Sequence, residues 1–213
     1  DLRFVSPGGA LLPHWVESIS TGVSFKVWVN VPSVGAQQVA KFWMYYDNGL
    51  ATNAANGDAV FDFFDEFAGG SLNTNKWTNQ LTNVSVTTNV SDGCAHFTIT
   101  PLSSANNAFM MLGKSQAPLQ NKVYYMRWRT TYGNQVMWFR YKNTASYEGY
   151  STEYRQEGGN NLIYLGKMYS GSLSYIDGFW DMPWTFGTWY DSEVVIRTTN
   201  YTVRNQTYPT GRG

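Results

Sequence analysis

Residues 84–100 read VSVTTNVSDGCAHFTIT, and their punctuation decides which folds are open to this chain. Asp92-Gly93 divides two arms of alternating side chains. Asp-Gly in that setting is the strongest short-range hairpin cue, because both residues tolerate positive φ. The pattern repeats outward. VYYMRWRTTYGNQVMWFRYK (123–142) turns at Gly133-Asn134, a third pair spans Tyr150 to Tyr169 around Gly158, Gly159 and Asn160, and TWYDSEVVIR (188–197) alternates again. Towards the N-terminus, FKVWVNVP sets Phe25, Val27, Val29 and Val31 against Lys26, Trp28 and Asn30, and KFWMYY (41–46) is a further strand candidate. DNGLATNAANGD (47–58) has turn formers and no period, and is expected to be a linker or long loop. No helical stripe of useful length occurs. The expected fold is therefore all-β, an antiparallel β-sandwich.

Composition agrees. Charged residues are 14% of the 213 residues, and 15 basic side chains balance 15 acidic ones. A net charge of zero removes the long-range field that a nucleic-acid or anionic-membrane binder uses. Cys94 is the single cysteine, so neither an internal disulfide nor a thiol zinc cluster can form. No apolar run reaches about 18 residues and no basic-then-apolar signal pattern opens the chain, so no membrane insertion is expected. Sequons at Asn83, Asn89, Asn200 and Asn205 are glycosylation candidates, in keeping with an extracellular or cell-surface location.

If Gly133-Asn134 is a two-residue turn, the facing strands sort by side. Met126, Trp128, Met137, Phe139 and Tyr141 fall on one face; Tyr125, Arg127, Arg129, Trp138, Arg140 and Lys142 fall on the other. The first set reads as core. The second suits a sugar, with aromatic rings for the apolar side of a pyranose and guanidinium forks for hydroxyls or carboxylates. It equally suits an exposed ion-pair lattice in which Arg127, Arg129, Arg140 and Arg155 meet Glu153 and Glu157. YIDGFWDMPWTFGTW (175–189) is too irregular for a strand; its Trp180 and Trp184 serve either as ligand walls or as anchors holding a long loop to the core.

Catalytic chemistry finds little support. His14 and His96 are expected in different sheets or subdomains; His96 has no visible Ser or Cys partner and is expected to pack or hydrogen-bond within a strand. No HExxH, P-loop or dinucleotide fingerprint is present. Glu153 and Glu157 would stand about 13 Å apart on an extended strand, beyond the roughly 5.5–9.5 Å that glycosidase carboxylates need. Asp62 and Glu66 share that spacing, and Asp65 points the other way. The chain is expected not to be an enzyme; a glycoside hydrolase or polysaccharide lyase is the minor alternative.

FDFFDEFAGGSLNTNKW (61–77) places Asp62, Asp65 and Glu66 among four phenylalanines. DLRFVSPGGALLPHWVES (1–18), followed by FKVWVNVPSV, WMYYDNG and NGDAVFDFFDEF, resembles a domain-of-unknown-function family of prokaryotic surface proteins over residues about 1–60. From FDFFDEF onward the chain resembles the concanavalin A-like lectin/glucanase (laminin-G-like) jelly roll. These resemblances imply a partial N-terminal β subdomain over 1–57 and a jelly-roll domain over 58–213. They imply that Phe61, Phe63, Phe64 and Phe67 seat the first jelly-roll strand at the junction, with Trp77 closing the following turn. A structural Ca²⁺ held by Asp58, Asp62, Asp65 and Glu66 is implied as well, though no EF-hand spacing is present. The glucanase signature, a compact Glu-x-Asp-x-x-Glu strand, is missing; in TEYRQEGG, Arg155 stands where its central acid belongs. Binding rather than hydrolysis follows. The expected function is an extracellular carbohydrate-binding or adhesive module whose partners are polysaccharide or glycoprotein glycans. The alternative is a structural subunit of a surface layer or filament. The resemblance also implies strands beyond both ends, and so either a segment of a larger surface protein or open sheet edges that self-associate with neighbours.

Overall fold

The computed structural model describes residues 2–103, 108–113, 121–131, 135–143, 148–157, 160–169, 172–179, 184–197 and 201–205. The chain divides into two compact units, Asp1–Ser115 and Gln116–Gly213. Every sheet is antiparallel, and no α-helix occurs among the described residues. The all-β expectation holds.

In the first unit, β1 (Arg3–Val5), β2 (Leu11–Leu12), β3 (His14–Ser20), β4 (Ser24–Val29) and β5 (Trp43–Tyr45) precede a single 3-10 turn at Gly57–Ala59. Strand β1 lies between β2 and β5, and β3 pairs with β4 across a turn in which Gly22 has φ +75°. Phe4, Leu12 and His14 are buried here, with the Phe4 ring 5.2 Å from His14 and 5.9 Å from Phe42. Strands β6 (Trp77–Thr82), β7 (Val84–Ser91), β8 (Cys94–Pro101) and β9 (Ala108–Gly113) complete the unit, β6 pairing with β9 and β7 with β8.

The β7–β8 hairpin has the register that its sequence demands. Ser91 faces Cys94, and the two residues between them, Asp92 and Gly93, take φ +55° and +68°. Both values are left-handed, as a type I′ turn requires, and they match the right-handed twist of the flanking strands. His96 stays in its strand, with Nε2 3.3 Å from the Ser91 carbonyl oxygen.

The second unit holds β10 (Lys122–Trp128), β11 (Gln135–Asn143), β12 (Glu148–Glu157), β13 (Asn160–Tyr169), β14 (Ser172–Phe179), β15 (Tyr190–Ile196) and β16 (Tyr201–Asn205). Four of these form the meander β11-β12-β13-β14, and three form the sheet β10-β15-β16. Glu157 pairs with Asn160, so β12 and β13 are joined across residues 158–159 as expected. One core joins the two sheets: Trp128, Tyr190, Val194, Ile196 and Val203 from the three-stranded sheet pack with Ile163 and Leu165 of β13 and with Trp184. The arrangement is sandwich-like, and each large apolar side chain withdrawn from water adds about 1.5–3 kcal/mol.

Three expectations are corrected. First, β10 does not pair with β11. It pairs with β15 over seven residues, Lys122 facing Ile196 through Trp128 facing Tyr190, while β11 pairs with β12. Alternation gives a strand its two faces but does not name its neighbour. Here Tyr124, Met126 and Trp128 meet the inward set of β15, and buried Ser192 satisfies Trp128 Nε1 at 2.9 Å. Second, residues 61–67 are bends and irregular chain rather than a first jelly-roll strand. Their aromatics sit three and four apart, at Phe61 and Phe64 and at Phe63 and Phe67, a spacing that suits a tight coil and not a period of two. Third, the start of the 175–189 segment is a strand, because β14 runs to Phe179 with its irregularity absorbed by a bulge opposite Leu165 and Gly166.

Candidate functional site

The outward face of the three-stranded sheet gathers the most chemistry among the described residues. Because Trp128 points into the core, Tyr125 and Arg127 on the same strand point out; Tyr125 is 49% exposed and the Arg127 side chain 63%. Antiparallel register then sets Tyr125 opposite Glu193 and Arg127 opposite Asp191. Arg129, just beyond the strand, is exposed as well. Both guanidinium groups lie over the half-buried Trp189 ring, Arg127 at 5.6 Å from its centroid and Arg129 at 4.8 Å. Arg127 Nε is 3.8 Å from Asp191 Oδ1, and Arg204 of β16 donates to Glu193 Oε1 at 2.5 Å.

This face is half of the expected one. Tyr125 and Arg127 on β10 and Arg129 just beyond it stand together, but Trp138 and Arg140 belong to β11 in the other sheet. The side chains of Trp138 and Arg140 lie outside the described residues, as does Trp180. Trp184 is a core residue and no ligand wall: it is 1% exposed, its Nε1 donates to the Leu162 carbonyl at 3.1 Å, and Phe186 meets it edge-on at 5.3 Å. The expected partner of Arg127 also changes: Asp191 stands beside it, while Glu153 Oε2 accepts from Tyr175 Oη at 3.0 Å, and the side chains of Arg155 and Glu157 lie outside the described residues. Trp189 was within reach of sequence reasoning, since it directly precedes an alternating strand, but nothing local says that this strand lies beside β10.

The acids of 58–66 are held by protein donors within the first unit. Lys76 Nζ donates to Asp58 Oδ1 at 2.7 Å, Oδ2 at 2.9 Å and the Phe64 carbonyl at 2.7 Å. Asp65 accepts from Phe67 N at 2.9 Å and from Trp77 Nε1 at 2.6 Å, and Glu66 accepts from Trp15 Nε1 at 3.0 Å. Rings close around them. Phe64 lies 4.8 Å from Trp15, Phe61 stacks on Phe64 at 5.5 Å, and Trp77 takes Phe63 edge-on at 5.0 Å and Phe67 stacked at 5.8 Å. Acids and indoles thus form a clasp that ties the coil to the β3–β4 hairpin. Asp62 is exposed. Among the described residues, no group of three or more His, Cys, Asp or Glu side chains converges in a way that could hold a metal ion.

Of the two histidines, His14 is buried against Phe4, and burial first, then the Arg3 charge, lower its pKa below the ordinary 6.5. Asn83, with φ +51°, and Asn89 are exposed, the latter donating Nδ2 to Ser91 Oγ of its own sequon at 3.3 Å. Asn200 lies outside the described residues, and so does the Asn205 side chain at the end of β16.

No helix among the described residues is long and apolar enough to cross a membrane. No curated protein and no solved structure matches the chain. Residues 1–80, which include the whole clasp of Trp15, Phe61, Phe64 and Trp77, match the model of a family described as a domain of unknown function (DUF2341).

Proposed function

We propose that the chain is an extracellular carbohydrate-binding or adhesive module of a cell-surface protein, a concanavalin A-like jelly roll over residues 58–213 that binds glycans without turnover. One observation carries the reading: Tyr125, Arg127 and Arg129, with Trp189, stand in an outward row on a sheet whose other side is core. A rigid sheet presents such a row at small entropic cost, and rings with forked donors are the groups that recognise sugars. The test is a glycan array probed with the intact protein and with Tyr125→Ala and Arg129→Ala. Loss of signal in both supports the reading; wild-type signal in both removes this face.

A second reading rests on the first unit. Trp43, Met44 and Tyr45 of edge strand β5 are all exposed, as are Phe25 and Ile19 of the β3–β4 hairpin, with Val23 82% and Leu50 95% exposed. Open apolar edges recruit strands, which favours a subunit of a surface layer or filament. Light scattering over a range of concentrations separates the two readings. Monomers throughout would remove the second.

A further inference from the structure

We infer that the β10–β15 face selects acidic glycans, its ligand being a polysaccharide that carries carboxylates (a polyuronate) rather than a neutral sugar; this rests on the carbohydrate reading above. The first argument is what covers Trp189. An indole that takes the apolar side of a pyranose must offer its flat face, yet two guanidinium groups lie over this ring, at 4.8 Å and 5.6 Å. The ring therefore serves the arginines. Stacking restrains two long side chains, so that less rotamer entropy is lost when their forks close on an anion.

The second argument is charge. On this face Glu193 is met by Arg204 at 2.5 Å, and Asp191 lies 3.8 Å from Arg127. Among the described residues, Arg129 has the Trp189 ring as its partner and no carboxylate. Among the described residues three arginines thus face two acids on this face, and the surplus positive charge sits on Arg129, exposed and pinned by an aromatic ring. A planar fork so placed matches a carboxylate in a bidentate pair, a geometry that a lysine ammonium cannot reproduce. Tyr125, two residues before Arg127 on the same face, extends the row along which a polymer would lie. Repeating anions on such a polymer would meet the arginines in succession, which fits a protein whose net charge is zero and whose attraction must be local.

The experiment is titration calorimetry of the intact protein with polygalacturonate, its fully methyl-esterified form, dextran sulfate and poly-glutamate, at low and at moderate salt. The expected result is binding of polygalacturonate that weakens with salt and falls at least about tenfold on esterification. Arg129→Ala should lose at least about tenfold, and Arg129→Lys should stay well below wild type, because charge without the fork does not suffice. Near-ultraviolet circular dichroism unchanged in both variants excludes misfolding as the cause. Equal binding of the acid and its ester overturns the inference and leaves the glycan reading standing. Dextran sulfate or poly-glutamate bound more tightly than polygalacturonate overturns it as well, by pointing to sulfate or to an acidic peptide. No binding to any polysaccharide, with failure on the array, removes the glycan reading itself.

Discussion

At Gly57 the absence of a side chain is a packing requirement. A Cβ there would collide with the Phe64 ring, which is itself fixed between Trp15 and Phe61. Gly57→Ala should destabilise the first unit by about 1–3 kcal/mol, through overpacking and loss of ring geometry; a fall in denaturant midpoint followed by tryptophan fluorescence is the check. Asp65 is the second single residue on which the clasp turns. Asp65→Ala leaves Trp77 Nε1 and Phe67 N without their acceptor, at a cost of about 1–3 kcal/mol in the same measurement. Sequence alone leaves this coil open, because four phenylalanines among acids read equally as a strand, a cation site or a catalytic pair. Only the neighbours Trp15, Lys76 and Trp77 assign the acids their hydrogen bonds.

His14 gives the first unit a pH dependence whose sign follows from its burial. Its folded-state pKa is lowered, so the unfolded chain takes up a proton more readily than the native one. Stability is full above the unfolded value of 6.5 and declines as pH falls from there towards the lowered folded value. Thermal midpoints should therefore drop between pH 7.5 and pH 5, and His14→Phe should flatten that slope even if it shifts the midpoint at neutral pH.

At the scale of elements, strands were legible wherever side chains alternate and the turn is short. Asp92-Gly93 names its own partner, because a tight turn leaves no other register, and the Glu157–Asn160 pairing of β12 with β13 is the one its short link suggests. The expected pairing of β10 with β11 fails for the same physical reason turned around. Both flanking strands alternate, but their partners lie elsewhere: β10 finds β15, some 60 residues on, and that choice depends on Ser192 beneath Trp128 and on Tyr190, Val194 and Ile196 in the shared core. On β10 the inward and outward sets survived the change, since they depend on parity alone, while the β11 side chains lie outside the described residues. Gly93→Val tests the hairpin that did hold. A β-branched residue at φ +68° is strained by about 1–2 kcal/mol, and amide exchange in β7 and β8 should quicken accordingly.

For the molecule as a whole, the second unit has one clear keystone. Trp184 packs edge-on to Trp128 at 5.7 Å, is 1% exposed and satisfies its indole N–H on the Leu162 carbonyl, so it joins the two sheets and the 184–189 loop at one point. Trp184→Ala should cost about 3–5 kcal/mol and release that loop, which carries Trp189 and hence the arginine row. Reduced near-ultraviolet dichroism together with loss of glycan signal would mark the coupling. Retention of full signal in a destabilised variant would show that the row is held by β10 and β15 alone.

By itself the sequence determined the all-β class, the faces of its strands and the turns short enough to set their own register, because these follow from backbone φ and side-chain parity within a few residues. It also determined a net charge of zero and, with Cys94 as the single cysteine, that no internal disulfide can form. Tertiary structure alone decided which strand lies beside β10, that Trp184 is core and that Trp189 is the ring under the two arginines. Those choices are made by contacts between residues far apart in the chain, where burial and hydrogen-bond satisfaction compete across many registers that look alike locally.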